Sequence, residues 1–296
     1  MYKQIDSNKR KTILLIAIFI IFIAGLGWLF GELTELGYWG LAVAIVISVL
    51  MSLFSYYKGD KVALWTAGAK PIQKQDNPYV YRMVENLCIT AGLQTPKVYI
   101  INDSAPNAFA TGRDPKHASV ALTTGIIDTL ENEELEGVIA HELSHIKNYD
   151  IRIMTIVIIL VGIIALLANW LLRARLFGFG KRDDRGGGQL GAILMIAGLI
   201  LAILSPFIAQ LIQLAVSRKR EFLADADGAL LTRYPEGLAG ALEKISHYKQ
   251  PLRRASDATA HLYIINPFAG TKKFAAKLFS THPPVEKRIK ALRGMT

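Results

Sequence analysis

Four apolar runs govern what this chain can become. Ile13 to Phe30 and Tyr38 to Ser55 open the sequence; Ile153 to Leu172 and Leu190 to Val216 follow a more polar interval. At about 1.5 Å of helical rise per residue, each of the first two is about long enough to cross a hydrocarbon core of ~30 Å. An ordinary soluble domain is less apolar than this chain, in which 52% of 296 residues are hydrophobic. The fold class expected is therefore an integral membrane protein, mainly α-helical.

The first two runs read as a transmembrane hairpin. A cleavable signal peptide fits less well, because the first run is long, lacks a small-residue cleavage site and is followed at once by a second span. Lys3, Lys9, Arg10 and Lys11 precede the pair, only Glu32 and Glu35 charge its turn, and Lys58 and Lys61 follow it. The positive-inside rule then puts both ends of the hairpin in the cytoplasm. The second pair of runs is less simple, because the loop Arg173 to Gln189 carries five basic and two acidic residues. The same rule keeps that loop in the cytoplasm, against two plain crossings. Either both runs span and the loop breaks the rule, or they form a hairpin that enters without crossing or lies against protein. In each case the two flanks end on one side. Ser205 and Pro206 split the fourth run and favour a kink or a fresh helix start.

This punctuation divides the chain into an N-terminal hairpin (1–58), a first polar part (59–150), a second hydrophobic hairpin (151–216) and a C-terminal polar part (217–296), the two polar parts being expected to make one domain. Within 59–150 the reading is α/β. A helical pattern covers Tyr79 to Leu93, "KVYII" at Lys97 to Ile101 and "ASVALT" at Ala118 to Thr123 are β-rich, and "APNAFATGRD" lies between them. Another helix begins near Asn132, where Glu131, Glu133 and Glu134 suit the positive end of its dipole. The net charge of +10 fits either nucleic acid or an anionic lipid surface, and the apolar runs favour lipid. One cysteine, Cys88, excludes an intramolecular disulfide and sits in an apolar helical pattern as a buried, inert thiol.

The helix from Asn132 carries the chemistry. His141, Glu142 and His145 form H-E-x-x-H, and positions four apart share a helix face, so both imidazoles can reach one zinc ion with the glutamate beside its water. A carboxylate so placed can take the water's proton and deliver it to a leaving amine, which is peptide-bond hydrolysis. A catalytic zinc usually takes three protein ligands. The extended pattern with a third histidine fails, since Asn148 and Ile151 stand where glycine and histidine belong. His117, His247, His261 and His282 are available, but the best candidate is Glu221 in "SRKREFLADADG". Asp225 follows it by four on the same helical face and can accept the other ring N–H of a bound histidine. His145 lies eight residues before Ile153 and Glu221 five after Val216, so both hang about 7–12 Å from an apolar run, at similar height.

With "NAFATGR", "HELSHI", "REFLADADG" and "THPPVEKRI" in that order between paired hydrophobic segments, the whole chain resembles the HtpX-type membrane zinc metalloproteases, heat-shock proteases distantly similar to the CAAX prenyl proteases. The resemblance implies a zincin-like α+β catalytic domain with a small β-sheet, and one zinc ion per chain on His141, His145 and Glu221. Glu142 would be general base and acid, and Asp225 would orient His141. It further implies that His282 stabilises the oxyanion, that Arg288 pairs with a site carboxylate, and that Asn107, Ala108, Phe109 and Ala110 belong to an edge strand that pairs with substrate backbone. The implied role is stress-responsive quality control in the cell membrane, cleaving misfolded or damaged membrane proteins at the cytoplasmic face. Its partners would be protein substrates and the lipid bilayer, with other membrane proteases or chaperones beside them and no nucleic acid.

Two readings of other classes carry less. A membrane scaffold or transporter would call for ionisable groups inside the spans, and the four runs hold no Asp, Glu, Lys, Arg or His, with Gln210 and Gln213 their strongest polar residues. Nucleic-acid binding by the basic C-terminal part has no recognised motif behind it.

Overall fold

The computed structural model describes residues 2–33, 36–158, 160, 162–163, 218–255, 259–268 and 283–295. The fourth apolar run, most of the third, the basic loop between them and His282 lie outside the described residues.

Helices α1 (Tyr2–Leu33) and α2 (Tyr38–Ala67) form the N-terminal hairpin. Both are long and apolar enough to cross a membrane. Their apolar side chains face outward, with Ile13 69%, Ile21 71% and Leu50 60% exposed, a surface that only lipid would solvate favourably. Small residues let the two backbones meet: a methyl group on Gly27 would stand 2.1 Å from the Ala44 Cβ. Helix α2 continues unbroken through residue 58, and its last turns, with Ala63, Leu64 and Ala67, pack on Ile101, Phe109 and Ala121 of the catalytic part.

Four strands make one sheet in the order β1-β2-β4-β3, from β1 (Ala69–Pro71), β2 (Lys97–Ile101), β3 (Ala108–Gly112) and β4 (Ala118–Thr123). The β2–β4 pair is parallel, in register from Lys97 opposite Ser119 to Ile101 opposite Thr123; β3 runs antiparallel to β4 and forms an edge. Strand alternation explains why every residue of β4 is buried. Val120 and Leu122, with Val98, Ala108 and Ala110, face a core shared with α3 (Pro78–Ala91) and α5 (Asn132–Lys147). Phe109 and Ala121 face the other way, onto the end of α2 and onto Ile153, Met154 and Val157.

The short α4 (Thr124–Thr129) leads into α5, whose start is fixed by a reciprocal capping box in which the Glu131 N–H donates to the Glu134 carboxylate at 2.8 Å. Every residue from Gly137 to Ile146 is buried, so α5 runs through the centre of the catalytic part. It ends at an uncommon turn: Tyr149 takes φ 60, a left-handed conformation that costs a non-glycine residue about 1 kcal/mol or more. The chain resumes as α6 at residues 150–158. Helix α7 (Arg218–Thr232) turns a buried stripe of Glu221, Ala224, Asp225, Gly228 and Ala229 onto α5, and α8 (Pro235–Ser246) and α9 (Val285–Arg293) close the bundle.

Candidate metal centre

Helical spacing on two helices builds the site. The i, i+4 pair on α5 brings the Nε2 atoms of His141 and His145 to 3.2 Å, and α7 sets Glu221 Oε1 3.5 Å from His145 Nε2. The three donors lie within 4.8 Å of one another, and all three residues are buried. Around a tetrahedral zinc with bonds of about 2.0–2.1 Å, neighbouring donors stand roughly 3.3–3.4 Å apart. The two spacings that involve His145, 3.2 and 3.5 Å, bracket that value, and two imidazoles with one carboxylate are a donor set zinc favours.

The remaining ring nitrogens fix how the histidines point. His141 Nδ1 meets Asp225 Oδ1 at 2.9 Å, and His145 Nδ1 meets Asp150 Oδ2 at 3.1 Å. Each carboxylate holds the proton on Nδ1, so both Nε2 lone pairs turn toward one point. Asp225 is itself held: Arg288, fully buried, donates from Nη2 and Nε to its two oxygens at 2.7 and 2.8 Å. The same guanidinium donates to the Ile264 carbonyl at 2.9 Å and approaches Glu221 Oε2 at 3.6 Å. Of the buried carboxylates, Asp225 is answered by Arg288 and Asp150 by Arg220, at 3.2 Å. Glu221 lies between His145 and Arg288, and Glu142 sits buried beside the two histidines.

The electrostatics follow. Burial lowers His141 to a pKa of about 4, despite the carboxylate of Asp225 beside it. Burial pulls His145 down too, but its bond to Asp150 and the charges of Glu221, Asp150 and Glu142 outweigh that and push it up to about 9. Glu142 rises to about 7, first through burial and then through Glu221, against the opposing pull of His145 and Arg288. For Asp225, burial acts to raise the carboxyl, and Arg288 overrides it and holds it below the usual range.

The structure thus brings together His141, Glu142, His145, Glu221, Asp225 and Arg288. His282 lies outside the described residues. Strand β3 occupies the sheet edge beside α5, and its outward groups meet the chain itself. The Ala108 carbonyl accepts from the Ile264 N–H at 3.0 Å, the Ala110 N–H faces the Glu142 carboxylate, and the Gly112 N–H donates to Thr155 Oγ1 at 3.2 Å. An extended peptide pairing along all of β3 would have to displace Ile264. Phe109 points away from the metal donors, edge-on to Tyr263 at 5.2 Å between centroids, and the Asn107 amide donates to the Ile265 carbonyl at 3.0 Å. A cavity of 540 Å³ opens at the start of β3, lined by Asn107, Tyr248, Leu252, Ile265 and Phe268 among others. Asp150 is the residue that sequence reasoning misses; the signal was a carboxylate five positions after the second histidine.

Comparison with known proteins gives the same picture. Residues 74–296 match the model of peptidase family M48. Two chains described as Protease HtpX homolog are each 46% identical to this one. One, from Thermoanaerobacter pseudethanolicus, aligns over 297 residues, 100% of this chain and 98% of that one; the other, from Dictyoglomus thermophilum, over 294 residues, 99% and 94%. A third, from Tropheryma whipplei, is 45% identical over 100% of this chain and 98% of its own length. The fold is similar to that in the crystal structure of S. mikatae Ste24p, with a TM-score of 0.51 at 17% identity over 99% of this chain and 67% of that one. With a family match that takes in both metal-helix motifs and relatives nearly half identical from end to end, the chain belongs to peptidase family M48.

Proposed function

We propose that the chain is a zinc-dependent endopeptidase of the cell membrane that hydrolyses peptide bonds of misfolded or damaged membrane proteins at the cytoplasmic face. The observation that carries this reading is the convergence of His141, His145 and Glu221, whose donor atoms lie within 4.8 Å of one another, with Glu142 buried beside them. Zinc held by these three residues supplies Lewis acidity and makes water a usable nucleophile near neutral pH. Glu142, a buried carboxylate beside the ligand histidines, takes a proton from the attacking water and returns it to the amide nitrogen as the C–N bond breaks. Asp225 and Asp150 keep the two imidazoles oriented, and Arg288 keeps Asp225 ionised. A substrate backbone would lie along edge strand β3 once the Ile264 N–H leaves the Ala108 carbonyl, and His282 is the candidate for stabilising the oxyanion.

Placement at the cytoplasmic face rests on connectivity. Asn8 near the start of α1 and Ala63 to Ala67 at the end of α2 both pack on the catalytic part, so the site lies at the end of the hairpin flanked by Lys9, Arg10, Lys11, Lys58 and Lys61. The positive-inside rule assigns that end to the cytoplasm. A membrane-protein substrate suits a site this close to the bilayer.

The test compares detergent-purified wild type with Glu142→Gln for bound zinc and for cleavage of casein. Glutamine keeps the size and leaves all three ligands, so both proteins should hold about one zinc, while cleavage falls about 10²–10⁴-fold in the variant. A zinc-free wild type, or equal cleavage by both, refutes the reading.

A further inference from the structure

Asp150 joins parts of the chain that are far apart in sequence. Its Oδ2 faces the ligand His145, while its Oδ1 accepts from Arg220 Nη1 at 3.2 Å and from Asn8 Nδ2 at 2.8 Å. Arg220 precedes the ligand Glu221 on α7, but Asn8 belongs to α1, the first apolar helix. The same Asn8 amide donates to the Asn148 carbonyl at 2.8 Å, and the next residue, Lys9, sets its ammonium 5.3 Å from the centre of the Tyr149 ring. Two adjacent residues of α1 therefore grip three consecutive residues, 148 to 150, in the strained turn that folds Asp150 back onto His145. Asn8 is 3% exposed, although the sequence around it, "DSNKRKT", reads as a polar flank. Burying an amide there is favourable only because both its donors are satisfied.

We infer that Asn8 is a positioning residue for the metal centre: acting through Asp150, it fixes the His145 imidazole and makes the first membrane helix part of the zinc site. Without Asn8, the Asp150 carboxylate loses one of its two fixed donors and the left-handed turn at Tyr149 loses its bond to α1. Asp150 can then rotate away from His145 Nδ1, and the ligand must be ordered by zinc itself. Carboxylates one step from a metal typically change affinity about 10–100-fold when removed, and one hydrogen bond further out should transmit part of that, about fivefold.

This inference rests on the zinc reading of the site, and its test separates the two. Full-length wild type, Asn8→Ala, Asn8→Asp and Thr12→Ala are purified in detergent. Zinc affinity is measured by chelator competition, and the cobalt-loaded proteins are compared by visible absorption. Thr12 is buried one turn further along α1 and donates only to the Asn8 carbonyl, at 2.9 Å, so it reports generic damage to the helix. Asn8→Ala should weaken zinc about fivefold and alter the cobalt spectrum. Asn8→Asp should weaken it further, by setting one carboxylate against another, and Thr12→Ala should match wild type. If Asn8→Ala does not fold, Asn8→Ser, which keeps a donor, should fall between wild type and Asn8→Asp. Wild-type affinity and spectrum in a folded Asn8→Ala or Asn8→Ser protein, or an equal loss in Thr12→Ala, overturns the inference alone. A wild type that takes up no zinc overturns the zinc reading and this inference with it.

Discussion

Gly228 brings the backbone of α7 close against that of α5. A methyl group built there would lie 3.0 Å from the backbone nitrogen of His141, 3.2 Å from its Cα and 3.3 Å from the carbonyl carbon of Ala140. Non-bonded carbon contacts are comfortable at about 3.5 Å or more, so Gly228→Ala forces the helices apart by roughly 0.3–0.5 Å. That shift adds to the 2.9 Å between Asp225 and His141 Nδ1 and takes it beyond the ~2.7–3.2 Å of a good bond. It also moves Glu221 relative to both histidines by about the tolerance a catalytic constellation allows, ~0.5 Å. Zinc affinity should fall about tenfold, with turnover falling alongside it. Stability should change less: alanine in a helix gains about 1 kcal/mol over glycine, overpacking costs about 1–3, and the net is a loss of about 0–2 kcal/mol. The assay is chelator competition with a thermal melt on the same preparations. Gly240→Ala serves as the control, because a methyl group there meets only the end of the Glu134 side chain, at 3.0 Å, which can swing aside. Wild-type zinc affinity in Gly228→Ala would refute the claim that glycine sets the separation of the ligand helices.

Gly137→Ala places a methyl group 2.7 Å from the Leu238 backbone nitrogen and 2.9 Å from its Cα, so it should lower the melting temperature by the equivalent of about 1–3 kcal/mol. An unchanged or raised melt would show that α8 yields there. Arg288→Ala leaves Asp225 buried without its guanidinium and should cost about 3–5 kcal/mol; Arg288→Lys should recover only part, because lysine cannot make the two-pronged contact. A melt at the wild-type temperature for either variant contradicts the pairing. Zinc uptake at pH 7 should release about one proton, because His145 is held protonated up to about pH 9 by Asp150 and its carboxylate neighbours against the pull of burial. Titrations in buffers of different ionisation enthalpy measure that release, and affinity should rise about tenfold per pH unit between 7 and 9. An affinity independent of pH rules this out. For the zinc-free protein the sign is that of a raised pKa: the stabilisation from His145 is full below pH 6.5 and is lost as pH rises through about 9, which thermal melts across that range detect.

What could be read in the sequence were features with a short period. H-E-x-x-H and the Glu221/Asp225 pair each place two groups on one helix face by spacing alone, and strands β2 and β4 declare themselves as short, largely apolar runs between turn residues. The start of α5 at Asn132 was legible for the same reason, since its acidic first turn is a local signal. What could not be read depends on a single torsion or on contacts across the chain. Asp150 reaches His145 only because Tyr149 adopts φ 60, and no propensity argues for a tyrosine there. The continuation of α2 to Ala67 was hidden because its lipid-facing and sheet-facing parts follow one another without a break, and a drop in hydropathy after Ser55 marks a change of surroundings with no change of structure.

That continuation bears on how the hairpin and the peptidase relate. A hydrophobic anchor joined by a flexible tether would leave the site indifferent to its membrane helices. Here α2 ends inside the core that supports Phe109 and Ala121, and Asn8 of α1 reaches a carboxylate that orients a metal ligand. The two paths differ: one runs through the back of the sheet that carries β3, the other through the turn after His145. A tilt of α1 relative to α2 would therefore reach both His145 and β3, and a hairpin held along its length is the simplest arrangement that leaves both in place. Where Gly27, Gly31 and Gly40 meet, the two backbones are so close that an added methyl group would clash, and further along Phe19 and Ile23 pack in one cluster with Ala44 and Met51, so the hairpin's helices are held along their length.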